Sequence, residues 1–211
     1  MKIQKFTFNP VGVNAIVAWD ETRECVIIDP ACFFPQEEAR LNHFIEEHDL
    51  KPVRLLNTHG HFDHLLGNGF AERTWALKTE IHEEDNFLVE NATQTAMMFG
   101  MNIPKPPAAG RFLTEGETIA FGNSMLKVIH VPGHSPGSVA FYNEADQCIV
   151  VGDILFNGSI GRTDLPRGNH QQLISGIKEK LLVLPDEVVV YSGHGPETTI
   201  GDEKWGNPYL S

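Results

Sequence analysis

The sequence contains little cysteine. Its 211 residues include three cysteines, Cys25, Cys32 and Cys148, which stand far apart and form no CxxC pair. A disulfide framework or a cysteine-based zinc knuckle is therefore not expected. We interpret each thiol as a small core side chain rather than a nucleophile, because no histidine stands close to any of them in the sequence. The shortage of cysteine fits a reducing, cytoplasmic setting.

Positive charge and long apolar runs are also scarce. Lys and Arg number 16 against 28 Asp and Glu, which makes the formal net charge −12. This balance argues against nucleic acid or an anionic membrane surface as the partner. No run approaches the roughly 18 apolar residues of a membrane-spanning helix, and no secretory signal is recognised at the start. We expect a folded, cytoplasmic protein that acts on a small molecule, and its oligomeric state stays open.

What the sequence does contain is a dense group of metal-binding side chains in the segment 57–64, Asn-Thr-His-Gly-His-Phe-Asp-His. Alternate side chains of an extended segment point the same way, so His59, His61 and Asp63 can converge. His64 can join them where the chain turns. Imidazole nitrogens and carboxylate oxygens are good ligands for zinc. The alternative, a solvated histidine-rich loop, explains this spacing less well.

Apolar periodicity indicates where this group lies. In the first half it predicts strands at 6–8, 13–19, 25–28 and 53–57 and a helix at 36–48. Further helices are expected to begin near Asp63 and to form a pair across 83–100. The proline-rich stretch 103–110 divides the chain. Beyond it the pattern predicts strands at 118–121, 125–131, 138–142, 148–152 and 187–192 and a helix at 170–182.

Three more candidate ligands, His134, Asp153 and His194, stand at the ends of predicted elements in the second half. Each follows a glycine, which lets the backbone turn sharply toward a shared centre. Any one of them alone would more often be an ordinary loop residue. Together with the first group they make five histidines and two aspartates, enough for two metal ions with one carboxylate between them.

These seven positions resemble the ligands of the metallo-β-lactamase superfamily. Its HxHxDH motif is matched by residues 59–64, and its later ligands by His134, Asp153 and His194. The resemblance covers nearly the whole chain. It implies an α/β fold of the αβ/βα type, a four-layer sandwich of two mixed sheets with helices on the outer faces and metals at one edge. We expect one domain over residues 1–211, with approximate halves 1–103 and 111–211.

The resemblance also implies a ligand set for each metal. His59, His61 and His134 would hold the first ion, and Asp63, His64 and His194 the second. Asp153 would bridge both ions. The expected cofactors are two divalent metal ions, with zinc expected first and iron or manganese as alternatives.

Within the superfamily, residues 152–166 are similar to the small bacterial members of the glyoxalase II group. Members that hydrolyse β-lactams generally have cysteine or serine at the position of Asp153, and flavin-dependent di-iron members have glutamate at that of His61. Nuclease members carry a large inserted domain. All three are therefore disfavoured. Larger glyoxalase II enzymes add a C-terminal helical region with basic residues for glutathione, which is not recognised here, so the thiol stays open.

The function implied is hydrolysis of a small thioester such as a hydroxyacyl-glutathione. A metal-bridging hydroxide would attack the carbonyl, oriented by Asp63 or Asp153, and the thiolate would leave without a dedicated general acid. Arg162 and Tyr142 are the candidate substrate contacts. The alternatives are an ion pair between Arg162 and Asp164 and an ordinary half-buried strand position for Tyr142.

Two other functions compete with this one. A mononuclear iron persulfide dioxygenase would use two histidines and one carboxylate of the same set to hold iron. A scaffold without catalytic activity is the weakest hypothesis, because all seven ligand positions are intact.

Overall fold

The computed structural model describes residues 1–210, which form two six-stranded sheets and a small two-stranded one. The first sheet runs, in spatial order, β1 (Lys2–Phe8), β2 (Val13–Trp19), β3 (Glu24–Ile28), β4 (Lys51–Leu56), β5 (Thr79–His82) and β6 (Arg111–Leu113). Strands β1, β2 and β3 pair with one another in antiparallel fashion, and β4, β5 and β6 each pair in parallel with the strand before. This sheet is therefore mixed.

The second sheet is also mixed. In spatial order it runs β14 (Thr198–Thr199), β13 (Val189–Ser192), β10 (Cys148–Gly152), β9 (Val139–Asn143), β8 (Ser124–His130) and β7 (Thr118–Phe121). Strands β10 and β13 pair in parallel, and the other neighbours are antiparallel. The short strands β11 (Leu155–Phe156) and β12 (Ser159–Ile160) form the two-stranded sheet. The expected α/β fold with two large mixed sheets is confirmed.

The helices of the described residues are α1 (Pro35–Glu47), α2 (Asn68–Trp75), α3 (Asn86–Met98), α4 (His170–Gly176) and α5 (Ile200–Gly206). Helix α4 continues into a π-helical turn, Ile177–Leu181. Pro35 occupies the start of α1, where its fixed φ and missing N–H are tolerated. No helix within residues 1–210 is both long enough and apolar enough to cross a membrane.

Strand β2 shows how the layers are built. Its side chains alternate, so Ile16 packs in a cluster with residues of the second sheet, including Val128 and Phe141. Ala15 and Val17 point the other way, into a cluster that contains residues of α1. The first sheet is thus covered on both faces, by the second sheet and by helices. The core lies between the layers, and the loops at the strand ends are left to carry polar side chains.

The structure corrects several predicted elements. The helix expected near Asp63 begins at Asn68, because a 3₁₀ turn, Phe62–His64, comes first. The pair of helices expected across 83–100 is one helix, α3, preceded by a 3₁₀ turn, Glu83–Asp85. Strand β6 follows the proline-rich stretch yet pairs with β5 of the first sheet. The change from one sheet to the other therefore comes after Leu113.

Candidate metal centre

The seven predicted ligands meet where four strands end. His59, His61, Asp63 and His64 follow β4, His134 follows β8, Asp153 follows β10, and His194 follows β13. Backbone hydrogen bonds join these segments: Val139 N–H donates to the Thr58 carbonyl at 2.8 Å, and Gly193 N–H to the Gly152 carbonyl at 2.7 Å. The two sheets therefore present all seven side chains to one place.

Two groups of three ligand residues lie on either side of Asp153. In the first, His61 Nδ1 is 2.9 Å from His134 Nε2, which is 3.3 Å from His59 Nε2. In the second, formed by Asp63, His64 and His194, the ligand atoms all lie within 4.8 Å of one another. These are the groupings that the family resemblance implies.

Asp153 faces both groups. Its Oδ1 lies 3.4 Å from His64 Nε2, and its Oδ2 lies 3.6 Å from His134 Nε2 and 3.5 Å from His194 Nε2. Among these atoms, His64 Nε2 and Asp153 Oδ1 are buried without a hydrogen-bond partner, as is His61 Nε2. A buried polar atom without a partner costs about 1–3 kcal/mol. Divalent metal would remove that cost at His64 and Asp153, so the donor set fits two metal ions.

Burial sets the protonation of two histidines in the first group. It lowers the pKa of His59 well below its ordinary value, and that of His61 to about 3, with the neighbouring imidazoles adding to the effect. Both rings are therefore neutral near pH 7. A neutral imidazole has a free lone pair for a metal ion, so these two ligands need no deprotonation.

Asp153 and His64 form a charged pair. Burial opposes the charged form of each, but the attraction between them is stronger. The carboxylates of Asp153 and Asp29 raise the pKa of His64 well above its ordinary value, and His64, His194 and His134 lower that of Asp153 well below its own. Asp153 is therefore an anion in the centre of the group, as a metal-bridging ligand must be.

The buried carboxylate of Asp29 orients the 57–64 segment through hydrogen bonds. Its carboxylate accepts hydrogen bonds from Thr58 N–H at 2.9 Å, Thr58 Oγ1 at 2.6 Å and Asn57 Nδ2 at 3.2 Å. It also accepts from His64 Nδ1 at 2.9 Å. The bond to Nδ1 leaves Nε2 of the same ring facing the centre, which is how a carboxylate orients a ligating histidine.

Asp85 links the two ligand-bearing loops. Its carboxylate accepts from Gly60 N–H at 2.8 Å, from Ser135 Oγ at 2.6 Å and from Gly137 N–H at 2.6 Å. The approach is so close that a Cβ on Gly60 would lie 2.8 Å from the Asp85 carbonyl oxygen, and one on Gly137 would lie 2.7 Å from the Asp85 carboxyl carbon. The loops that carry His59, His61 and His134 are therefore tied to one buried carboxyl group, whose pKa burial raises.

Sequence reasoning missed both of these aspartates. Asp85 ends the acidic tract 80–85, whose density of charge is typical of a solvated face, yet Asp85 and Glu80 are buried. The tract runs from β5 into the 3₁₀ turn, and there the chain turns inward. Asp29 carried a weak signal, since it stands in an Asp-Pro pair at the end of a buried strand, and the predicted ligand Asp153 also follows a predicted strand.

Of the two predicted substrate contacts, Arg162 lies beside the predicted metal ligands and Tyr142 does not. Arg162 lies at the centre, and its backbone carbonyl accepts from His134 Nδ1 at 2.8 Å. Its guanidinium, however, donates from Nε and Nη2 to the two carboxylate oxygens of Asp164, each at 2.7 Å. Tyr142 is buried on β9 and lines a different cavity with Met1 and Met125. The structure therefore does not bring Tyr142 to the ligand group, because its strand position faces the other way.

A cavity of about 390 Å³ opens onto the metal ligands. Its polar lining consists of His61, Asp63, His134, Asp153, His194, Arg162 and Thr95. The rest of the lining is apolar: Pro10, Val11, Phe62, Leu88, Phe99, Met101, Leu165 and Pro166. Convergent polar groups in an apolar hollow of this size are typical of a small-molecule site.

Comparison with known proteins agrees with this geometry. Residues 8–194 match the metallo-beta-lactamase superfamily. The hydroxyacylglutathione hydrolase GloC of Haemophilus influenzae is 40% identical over 217 residues, with 100% of this chain and 99% of that protein covered. Two crystal structures are also similar over 98–100% of this chain and 100% of theirs: BLEG-1 B3 metallo-beta-lactamase (TM-score 0.91, 34% identity) and TTHA1623 in a di-iron-bound form (TM-score 0.89, 39% identity). The chain therefore belongs to the metallo-β-lactamase superfamily.

Proposed function

We propose that this superfamily hydrolase is a thioesterase that uses two divalent metal ions, and that hydroxyacyl-glutathione or a comparable small thioester is its substrate. The observation that carries the proposal is Asp153, which lies between two three-residue ligand groups on the wall of a cavity. The likeness to GloC supports a thioester as the substrate. Zinc, iron and manganese all suit the histidine and aspartate donors.

The ligand residues have the roles that the family resemblance implies. His59, His61 and His134 would hold one ion, and Asp63, His64 and His194 the other, with Asp153 shared. Bound there, the metal ions would polarise the acyl carbonyl and activate a water molecule. Asp29 and the carbonyl of Arg162 orient His64 and His134, so the protein keeps the ligands in place before the substrate arrives.

The other steps of the reaction depend on groups that line the cavity. The carboxylates of Asp63 and Asp153 face it and can orient the attacking water and accept its proton. No serine or cysteine of the described residues lines it, so a covalent acyl-enzyme on either of these side chains is not expected. A leaving thiol has an ordinary pKa of about 8.5 and departs as thiolate without a general acid. A thioester therefore suits the site better than an ester or an amide.

The test combines metal analysis with substrate turnover. Protein expressed without added metal and then loaded should contain two ions per chain, visible as two anomalous peaks, and should hydrolyse lactoyl-glutathione or another small thioester. Asp153→Ala should lower both metal content and turnover. Asp186→Ala removes a carboxylate that pairs with Lys204 on the surface and should change neither. One fully occupied peak, with Asp63 and His194 turned away from it, would contradict the two-metal proposal.

A second function, oxidation of a persulfide by a single iron, is favoured by one observation. The similar structure of TTHA1623 is in a di-iron-bound form, so iron, although as two ions rather than one, occurs in a similar protein. Iron, unlike zinc, can activate oxygen. The two functions separate in one measurement with the iron-loaded protein. Oxygen consumption with glutathione persulfide and no turnover of any thioester would replace the thioesterase by the dioxygenase.

A further inference from the structure

The apolar part of the active-site cavity is large and partly open to solvent. Phe62, between two ligand residues in the chain, is buried and contacts Phe99 with ring centroids 5.5 Å apart. Phe99 is 57% exposed and Val11 is 48% exposed, although both are large and apolar. Exposed apolar side chains grouped at the mouth of a cavity mark a surface that a ligand covers. We call Val11, Phe62, Leu88, Phe99 and Met101 the apolar wall.

Apart from the metal ions proposed above, the cavity presents almost no positive charge of its own. Among the described residues that line it, Arg162 is the one lysine or arginine. Its Nε and Nη2 donate to Asp164. This ion pair raises the pKa of Arg162 above its ordinary value and lowers that of Asp164 to about 2. An incoming carboxylate would either displace Asp164 or share Arg162 with it through Nη1. In both cases it would form only an exposed ion pair, and exposed pairs contribute little to binding.

We propose that this cavity selects thioesters by an apolar acyl group that packs against the apolar wall, and that an anionic thiol contributes little to selection. The proposal rests on the thioesterase function above and adds the substrate class. Because Phe62 adjoins His61 and Asp63 in the chain, the wall begins beside the metal ligands. A saturated chain leaving the reacting carbonyl can therefore reach it.

A matched series of thioesters tests the preference. With metal-loaded protein and N-acetylcysteamine as the thiol, kcat/KM should rise about two- to fourfold for each methylene from acetyl through butanoyl to hexanoyl. Lactoyl should fall below butanoyl. A flat series, or lactoyl as the best substrate, would overturn the proposal while leaving the thioesterase function intact. No turnover of any thioester would overturn both.

Adjacent residues at the end of α3 provide a variant and its control. Phe99 lines the cavity, whereas Met98 is 85% exposed and does not. Phe99→Ser should lower kcat/KM for the hexanoyl thioester about five- to tenfold and leave the acetyl thioester within about twofold, because only the longer chain extends as far as Phe99. Met98→Ser should change neither. Equal losses on both thioesters in Phe99→Ser, with metal content unchanged, would contradict the assigned wall.

The charge half of the proposal has its own test, in which Asp164→Asn releases Arg162. KM for hexanoyl-glutathione should fall about two- to fivefold, and KM for hexanoyl-N-acetylcysteamine, which has no carboxylate, should not change. In the wild-type background, Arg162→Ala should raise KM for the glutathione thioester about twofold at most, with a smaller effect on kcat. A tenfold rise or more would show that Arg162 already binds the thiol and would overturn this half.

Discussion

The ligands of the two halves of the chain are held in place by different means. Those of the 57–64 segment lie on one loop, and hydrogen bonds from that loop to the buried carboxylate of Asp29 set their directions. His134, Asp153 and His194 come from three separate strand ends. Each of these is placed by a glycine that has no room for a side chain. The ligands of the 57–64 segment should therefore be sensitive to the loss of a hydrogen-bond partner. Those of the second half of the chain should be sensitive to an atom added at the preceding glycine.

Gly152 and Gly193 show how little space surrounds the backbone next to Asp153 and His194. Gly152 has φ +53°, and a Cβ there would lie 2.3 Å from Thr58 Oγ1. A Cβ on Gly193 would lie 2.1 Å from Asp153 Oδ1 and 2.8 Å from His64 Cε1. The backbone of the second half thus packs directly against ligands and supports of the first. The two halves meet at these glycines.

The largest effect is expected from Gly152→Ala. Thr58 cannot retreat from the added Cβ, because both its N–H and its hydroxyl are bonded to Asp29. The free energy of unfolding should fall by about 3 kcal/mol or more, from overlap and from the left-handed backbone together. Metal content should fall too, because Asp153 is displaced. Urea denaturation and metal analysis measure the two effects.

Gly158 provides the control for this substitution. It has φ +66°, similar to Gly152, but nothing lies within 4 Å of the position that its Cβ would take. Gly158→Ala should cost only about 1–2 kcal/mol, the conformational part of the penalty, and should leave metal content unchanged. Equal losses in the two variants would mean that contact with Thr58 does not matter.

The next largest effect is expected from Asp29→Asn, which disturbs the hydrogen bonds that hold the 57–64 segment. The amide nitrogen of asparagine would face a donor, Thr58 or His64, where the carboxylate now accepts. The free energy of unfolding should fall by about 2–3 kcal/mol. Metal should be lost from the Asp63, His64 and His194 group before the other. Asp49→Asn is the matched control, since Asp49 has φ 49° against 48° for Asp29 and its side chain is 76% exposed. Loss of both metals at once would argue that Asp29 does not act through His64.

Asp85→Asn tests the link between the halves. The two carboxylate oxygens of Asp85 now accept from three donors, Gly60, Ser135 and Gly137. An asparagine has only one acceptor oxygen, so one or more of these donors would lose its partner. We expect a loss of about 1–3 kcal/mol in the free energy of unfolding. Weaker metal binding by His59, His61 and His134 should accompany it in a chelator titration. Glu84→Gln, one residue earlier and exposed, should have no effect on either quantity.

The smallest effect is expected from Cys25→Ala, which changes the core away from both ligand groups. Cys25 is fully buried among the side chains of the first sheet and α1, and burial raises the pKa of its thiol to about 12. Truncation should cost about 1 kcal/mol of stability and leave metal content and turnover unchanged. Loss of hydrolysis with both metals retained would contradict a mechanism that has no thiol nucleophile.

Much of the fold followed from local pattern. Alternation predicted the end of β1, and apolar runs rich in β-branched residues predicted β2 and β3. Helical spacing predicted α1, and the apolar run before Asn57 predicted β4. The errors lie where tertiary structure overrides pattern. Residues 62–64 form a 3₁₀ turn rather than the start of α2, and the short elements β14 and α5 after His194 have too little periodicity to be recognised.

The sequence by itself determined the chemistry available to the protein. Seven metal-ligand positions, spaced as in the superfamily, predicted which side chains to examine, because ligands on one short loop and at glycine-preceded strand ends leave a mark in local spacing. The thiols were also interpreted as core residues from sequence alone, and all three are buried and free.

Only the tertiary structure decided what surrounds those ligands. Asp85 belongs to a tract that looks solvated in the sequence, Tyr142 is carried to another cavity, and Arg162 pairs with its neighbour Asp164. The wall of the cavity joins Val11, Phe62 and Phe99 from segments far apart in the chain. Burial, hydrogen-bond partners and cavity shape are properties of groups brought together by folding over long sequence separations. No local spacing encodes them.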